Sequence, residues 1–476
     1  MDKVLASLRT LGVLLGLWVI LGVVALVARV IPLGQGPAPS ADGGVEDAGE
    51  PSDDAGERPS DAGAIEDAMA AAAPEPTPEP PEEPAAPAAP LAIAGQRWTV
   101  CDAGGDPSLA LADVFGDARP EIIVGCRDGW HVIGLGPSGP LRVARFTTEP
   151  APSGQRNVHG AVARGDVDGD GLADLVLPLA LLGDNGASRG GGLFWIPRDA
   201  FGGIREPARL APITAVAAVV APIDRDTGAE IVAMNRANAL AQLPSEVWVF
   251  GGGASPTRTA AVVVGIGGTT VSVTDADRDG HADLVALASG RVALHFGDGS
   301  GGFPRSHSLA LAGARELGLG DVDGDGGADL VVLGEDGLRW IRAGALEGME
   351  PRGLDGVPAN LRGLQVLDAD GDGKVDLAGW DHPRLVWLRQ RDPVDFEPRT
   401  AFTLAGGPFG PRRHRVGDLD GDGAADDLVL LGTTADEGAG LELVIVEEAL
   451  EGRELTPSAE PRPLPDAPLV LSAALR

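Results

Sequence analysis

The sequence predicts an all-β, seven-bladed β-propeller, preceded by one transmembrane helix and a disordered acidic linker. Three observations predict it. An Asp-rich segment of about nine residues recurs seven times along the chain. Apolar runs of strand length flank each copy. Ahead of the first copy lie a long uncharged stretch and then a Pro-, Ala- and acid-rich one.

The uncharged stretch runs from Thr10 to Ala28, 19 residues rich in Leu, Val and Gly. As a helix it spans about 28 Å, close to the hydrocarbon thickness of a bilayer. Lys3 and Arg9 precede it and Arg29 follows. That bias favours a cytoplasmic N-terminus and an extracytoplasmic remainder, in the periplasm or at the cell surface. The alternative is a signal peptide and a secreted product. The run is longer than an ordinary signal core, and Leu26 stands where a small residue belongs for cleavage after Ala28. Residues 1–32 are therefore the expected membrane anchor.

Residues 33–95 hold 14 acids and one base, Arg58. Stretches such as PEPTPEPPEEPAAPAAP (74–90) have too little apolar surface to offset the entropy of ordering. They read as an extended, self-repelling spacer, with a reach between about 40 and 190 Å.

From residue 96 onward the repeat dominates. Five segments agree almost letter for letter: DVDGDGLAD (166–174), DADRDGHAD (275–283), DVDGDGGAD (321–329), DADGDGKVD (368–376) and DLDGDGAAD (418–426). Two weaker copies are DVFGDARPE (113–121) and DRDTGAE (224–230). Their first aspartates lie 53, 58, 51, 46, 47 and 50 residues apart. A period near 50 suits one four-stranded blade, so 96–476 makes seven. In each blade an apolar run enters the loop and a second leaves it. A third carries an aromatic: Trp130, Trp195, Trp248, Phe296, Trp340 or Trp387. These rings are expected to fill the space between blades. Ring closure stays open between QRWTV (96–100) and LVLSAALR (469–476) as the final strand.

Composition excludes several classes. A net charge of −33 argues against nucleic-acid binding, which needs Lys and Arg clusters. Two cysteines cannot make a disulfide scaffold, and 70 glycines with 39 prolines do not suit a helical bundle.

The loops carry Asp at positions 1, 3, 5 and 9. Carboxylates this close repel one another unless a cation sits among them. Oxygen-only donors in a flexible loop suit Ca²⁺, and no His or Cys stands at the ligand positions for zinc or copper. The expected ligands are Asp166, Asp168, Asp170 and Asp174; Asp275, Asp277, Asp279 and Asp283; Asp321, Asp323, Asp325 and Asp329; Asp368, Asp370, Asp372 and Asp376; and Asp418, Asp420, Asp422 and Asp426. That gives about five structural Ca²⁺ sites. An EF-hand does not fit, because Leu177 stands at position 12 of the first full loop and the flanks read as strands. In the weak copies Phe115 replaces a ligand, and 224–230 is two residues short, so metal is not expected there. Asp427 adds an acid where an apolar residue belongs; the expectation is that Asp426 coordinates and a bulge accommodates Asp427.

The apolar–DxDxDGxxD–apolar unit resembles the FG-GAP/VCBS repeats of integrin α-subunit-type β-propellers, as does GDGSGGF (297–303). The resemblance covers about 96–476. It implies that the Asp loops join the first and second strands of each blade and bind structural calcium on the lower face. The anchor and linker lie outside it, and integrin-type signalling is not implied.

If the Asp loops point down, the opposite face is the candidate ligand face. Loops expected there, at 178–191, 234–245 and 432–440, with connections at 147–160 and 406–415 and the shorter loop near 382, bring Arg156, His159, Arg189, Arg236, His382, Arg412, Arg413 and His414. Such a cluster could receive an anionic partner, a protein or a polysaccharide. Cys101 and Cys126 are expected to pair outside the cytoplasm; two separate buried thiols are the alternative. No HExxH, GxSxG or P-loop motif occurs, and the lysines are only Lys3 and Lys374. A recognition or adhesion module is therefore expected rather than an enzyme. A structural component of an envelope complex is the alternative, and an extracellular polymer-acting enzyme a lesser one.

Overall fold

A computed structural model describes residues 95–476, apart from 103–105, 118, 200–202, 345–349, 355, 359, 406–408, 435–439, 459 and 476. The expected anchor (1–32) and all but the last residue of the linker (33–95) lie outside the described residues. No helix among the described residues is long and apolar enough to cross a membrane.

The chain forms seven sheets, the seven blades of a propeller, antiparallel apart from the C-terminal segments added at three edges. The inner strands are 108–112, 155–165 (interrupted), 215–221, 270–274, 316–320, 362–367 and 409–417 for blades 1 to 7. Each leads into an Asp loop, and the second strand returns antiparallel to it. The second strands are apolar and almost wholly buried, as in Asp283–Ala288 and Asp376–Asp381. Sheets buried on both faces read as continuous apolar runs, which is why these segments do not alternate.

Blade 2 has the one broken inner strand. Its pairing to Asp174–Gly183 lapses between His159 and Ala163, opposite Pro178. Proline has no N–H for the ladder, so Gly160 donates to the Pro178 carbonyl and the chain bulges past it.

Seven apolar clusters fill the seven gaps between neighbouring blades, including the gap between blades 7 and 1. Trp130, Trp195, Phe296, Trp340 and Trp387 are buried there as expected, while Trp248 is half-buried. A fully buried Leu or Val contributes about 1.5–3 kcal/mol, so these gaps dominate the stability of the ring.

Closure uses both termini of the body, for different tasks. Arg97–Cys101 is the fourth strand of blade 7, antiparallel to Leu441–Val446. Within it, Arg97 makes a fully buried ion pair with Glu442 at 3.0 Å. Asp466–Leu475 instead lies parallel to Gly139–Thr148 as a fifth strand of blade 1. On its way there the chain also pairs with the outer strands of blades 6 and 7. The C-terminal segment thus covers three sheet edges that would otherwise be open to association. Cys101, on the closing strand of blade 7, is joined by a disulfide to Cys126, on the second strand of blade 1, with Cα atoms 6.3 Å apart.

Candidate metal centres and ligand face

Each Asp loop sits between the first and second strands of its blade. The first aspartate organises the turn. Asp166 accepts the backbone N–H groups of Gly169, Asp170 and Gly171 at 2.8, 3.1 and 2.9 Å. Asp275, Asp321, Asp368 and Asp418 do the same for the N–H of their own sixth-position glycine at 2.8–2.9 Å. That glycine has φ between 82° and 96° in all five full loops, and a Cβ would meet nothing within 4 Å. Backbone conformation, not space, therefore requires glycine there.

The ninth position does more than the sequence suggests. Asp174, Asp283, Asp329 and Asp376 are completely buried. Each accepts the N–H of the second loop residue and a second N–H from the end of the third strand. For Asp283 these are Ala276 and Gly297, both at 2.8 Å. For Asp174 and Asp376 the indole N–H of Trp195 and of Trp387 adds a further bond at 2.9 Å. This carboxylate is a brace between three strands. Burial raises its pKa in all four loops, to about 6 at Asp283.

The loop at 418 corrects one expectation. Asp427, not Asp426, is the brace: it pairs with Gly417 across the ladder and accepts the N–H of Leu419 at 2.8 Å. No bulge forms there, because the loop is one residue longer. Burial, followed by the charges of Asp422 and Asp420, raises the pKa of Asp426 to about 6. Elsewhere one aspartate holds this place; here two adjacent ones divide it. In the weak loops a glutamate braces instead. Glu121 accepts the N–H of Val114, and Glu230 that of Ile223, both at 2.6 Å.

The third position behaves differently again. Oδ1 of Asp168, Asp277, Asp323 and Asp370 is buried and has no hydrogen-bond partner. The same atom is orphaned in four separate blades. Carboxylate oxygens of positions 1, 3 and 5 come within 4.8 Å of one another in the 166, 275 and 321 loops, and those of Asp368, Asp370 and Asp376 in the 368 loop. The outer oxygens face arginines that sequence reasoning missed. Arg205 bridges Asp168 and Asp170, and Arg305 bridges Asp277 and Asp279. Arg342 bridges Asp323 and Asp325, and Arg389 bridges Asp370 and Asp372. Arg342 and Arg389 share a place, 21 residues after the first loop aspartate and two after the third-strand Trp, whereas Arg205 and Arg305 lie 39 and 30 residues after theirs, so no single spacing announces all four.

On the opposite face much of what reads as loop is strand. Arg156 and His159 lie on Gln155–His159, Arg189 on Ser188–Ile196, and Arg412, Arg413 and His414 on Phe409–Gly417. The expected loop at 178–191 narrows to a turn at 184–187, because the flanking strands pair up to Leu182 and Ser188. Residues from the start of all seven inner strands line a cavity of about 690 Å³, the mouth of the central channel. His159, Arg412, Arg413 and His414 are in its lining, joined by Arg315, Arg362 and Trp380. Arg156, Arg189, Arg236 and His382 are not. His159 serves packing: its ring meets Trp130 edge-on at 4.4 Å, and burial lowers its pKa to about 4.

These features define a seven-bladed propeller built from Asp-loop repeats. FG-GAP-like repeats are matched at residues 275–332 and 368–429. No curated protein matches the chain. Solved structures similar to it include an Agrocybe aegerita lectin that recognises non-reducing terminal N-acetylglucosamine. That likeness has 16% identity and a TM-score of 0.46, over 71% of this chain and 92% of the lectin. The exotype rhamnogalacturonan lyase YesX is 14% identical at a TM-score of 0.38, over 78% and 76% of the two chains. A Bacillus licheniformis rhamnogalacturonan lyase is 13% identical at 0.34, over 78% and 92%. At such scores none of them bears on what this chain binds.

Proposed function

We propose that the protein is a membrane-tethered, extracytoplasmic calcium-binding propeller that serves as a recognition or adhesion module for a protein or polysaccharide. The observation that carries the calcium reading is the orphaned Oδ1 of the third-position aspartates in four blades. A buried carboxylate oxygen without a donor is costly, and a divalent cation is the partner that oxygen-only surroundings suit. In each full loop the aspartates at positions 1, 3 and 5 would hold the ion, with the ninth-position carboxylate beside them; in the loop at 418 that last place falls to Asp426. Calcium there would offset the mutual repulsion of the loop and fasten the first two strands of the blade. It would supply stability rather than chemistry. The body is assigned to residues 96–476, the spacer to 33–95 and the anchor to 1–32, on the composition of those segments.

Recognition is assigned to the face away from the Asp loops, where the inner strands of all seven blades converge on one polar cavity. Thermal unfolding with calcium and with excess chelator tests the metal reading. The melting temperature is expected to fall in chelator by several degrees, and an unchanged melt overturns it. Capture of isolated cell-envelope material by the calcium-loaded protein tests recognition. Saturable retention is expected, and none at any calcium level overturns that reading.

A further inference from the structure

The channel mouth carries a charge opposite to that of the chain. Arg315, Arg362 and Arg412 enter it from blades 5, 6 and 7. Arg413 is paired with Asp106 at 2.7 Å, and Arg415 faces Glu316. Arg362 and Arg412 are exposed and make no ion pair among the described residues.

On the same side three buried polar atoms have no partner: Arg315 Nε, Trp380 Nε1 and His414 Nε2. Trp380 is 8% exposed and His414 5%, and their ring centroids are 5.9 Å apart. Gly363 makes room for the imidazole. It has φ of 66°, and a Cβ there would lie 2.3 Å from the ring. His414 hydrogen-bonds to the Gly363 backbone through its other nitrogen, and burial drives its pKa down to about 3. A neutral ring that donates through Nδ1 presents a lone pair at Nε2. The wall therefore offers fixed cations, an indole N–H donor and an imidazole acceptor. Buried polar groups are nearly always satisfied in folded proteins, so three orphans on one wall ask for a partner. A bare carboxylate would serve the arginines and leave the imidazole lone pair unmet. A hydroxyl both donates and accepts, so one such group can serve both rings.

We propose that this wall binds a carboxylate-bearing saccharide, the end of an acidic polysaccharide. Its carboxylates lie against Arg315, Arg362 and Arg412, and a hydroxyl lies between Trp380 Nε1 and His414 Nε2. The cavity volume suits a short saccharide segment, since small-ligand sites run from about 300 to 1,000 Å³. This assignment rests on the recognition reading and narrows it.

The test uses the full chain, calcium-loaded, titrated with three probes. They are a uronic-acid oligosaccharide, the same oligosaccharide with its carboxyl groups reduced, and a Glu-rich peptide of equal charge. Saturable binding of the first is expected, weakening as salt is raised. The double variant Arg362→Ala, Arg412→Ala should lose roughly tenfold or more; both residues are exposed, and an unchanged melt shows the fold intact. Trp380→Phe keeps an aromatic ring, smaller than the indole, and removes the N–H; a loss of about threefold to tenfold is expected, with an unchanged melt showing the packing intact. Equal binding of the reduced saccharide, equal binding of the peptide, no binding of the acid form, or full affinity in the variants would each overturn the assignment. Envelope capture run beside it separates the two readings. Capture without uronate binding defeats this assignment alone, and loss of both defeats recognition as well.

Discussion

Asp427 accepts the backbone N–H of Leu419 at 2.8 Å, the place that Asp174 holds against Val167 in blade 2. The two acids at the end of the 418 loop therefore have separate tasks. Asp427→Ala removes the acceptor that the N–H groups of Leu419 and Glu448 share, and should cost about 2–4 kcal/mol with or without calcium. Asp426→Asn should leave the chelated protein as stable as the parent or more so, and weaken calcium at one site. Melts in chelator and calcium titrations of both variants check this division.

The Arg97–Glu442 ion pair ties the closing strand to blade 7 in full burial. Removing one partner takes the counter-charge from a buried ion, so Glu442→Ala should destabilise by about 3–5 kcal/mol. Replacing both by apolar residues of similar size, Arg97→Met with Glu442→Leu, should recover most of that loss. Urea unfolding of the single and double variants gives the comparison.

The disulfide joins the two blades that meet at the closure. Its cysteines are separated by 25 residues, and closing such a loop is worth about 3.5 kcal/mol in the chain-entropy model. Cys101→Ser with Cys126→Ser should lower stability by about that much and leave calcium binding at the five full loops intact. Chemical denaturation with and without reductant measures the first, and calcium titration the second.

Glu121, the brace of the first loop, has its pKa raised by burial from 4.5 to about 7. Between those values the folded chain holds a proton that the unfolded chain has released. Stability from this group is therefore full below about pH 4.5 and is lost as pH rises through about 7. Buried His159 and His414, held near 4 and 3, act the other way and cost stability as pH falls below the ordinary imidazole value. Glu121→Gln should thus narrow the parent's disadvantage at pH 8 relative to pH 5 and leave the histidine effect unchanged. Melts of both proteins in chelator across that range decide it.

The ring and the placement of its Asp loops were legible because each blade is local. A loop and its two flanking runs recur in every blade within about 50 residues, and six of the seven add an aromatic third run. Closure was not legible, because Arg97 meets its partners more than 340 residues away and both terminal runs are of strand length. The brace was hidden in a different way. An aspartate that holds backbone N–H groups and one that faces a cation are the same letter at the same position. The weak loops held the clue: DVFGDARPE and DRDTGAE lose ligand positions yet keep a final acid just before the strand. The arginines across the loop mouths and those of the channel come from scattered positions that only folding brings together.

The calcium content of the full chain tests the central claim most directly. After dialysis against calcium-buffered solution, the metal bound per chain is measured for the parent and for Asp168→Asn, Asp277→Asn, Asp323→Asn and Asp370→Asn. About five ions per parent chain, and one fewer for each variant, is the result expected. A parent chain that retains no calcium, or variants that retain as much as the parent, would contradict it.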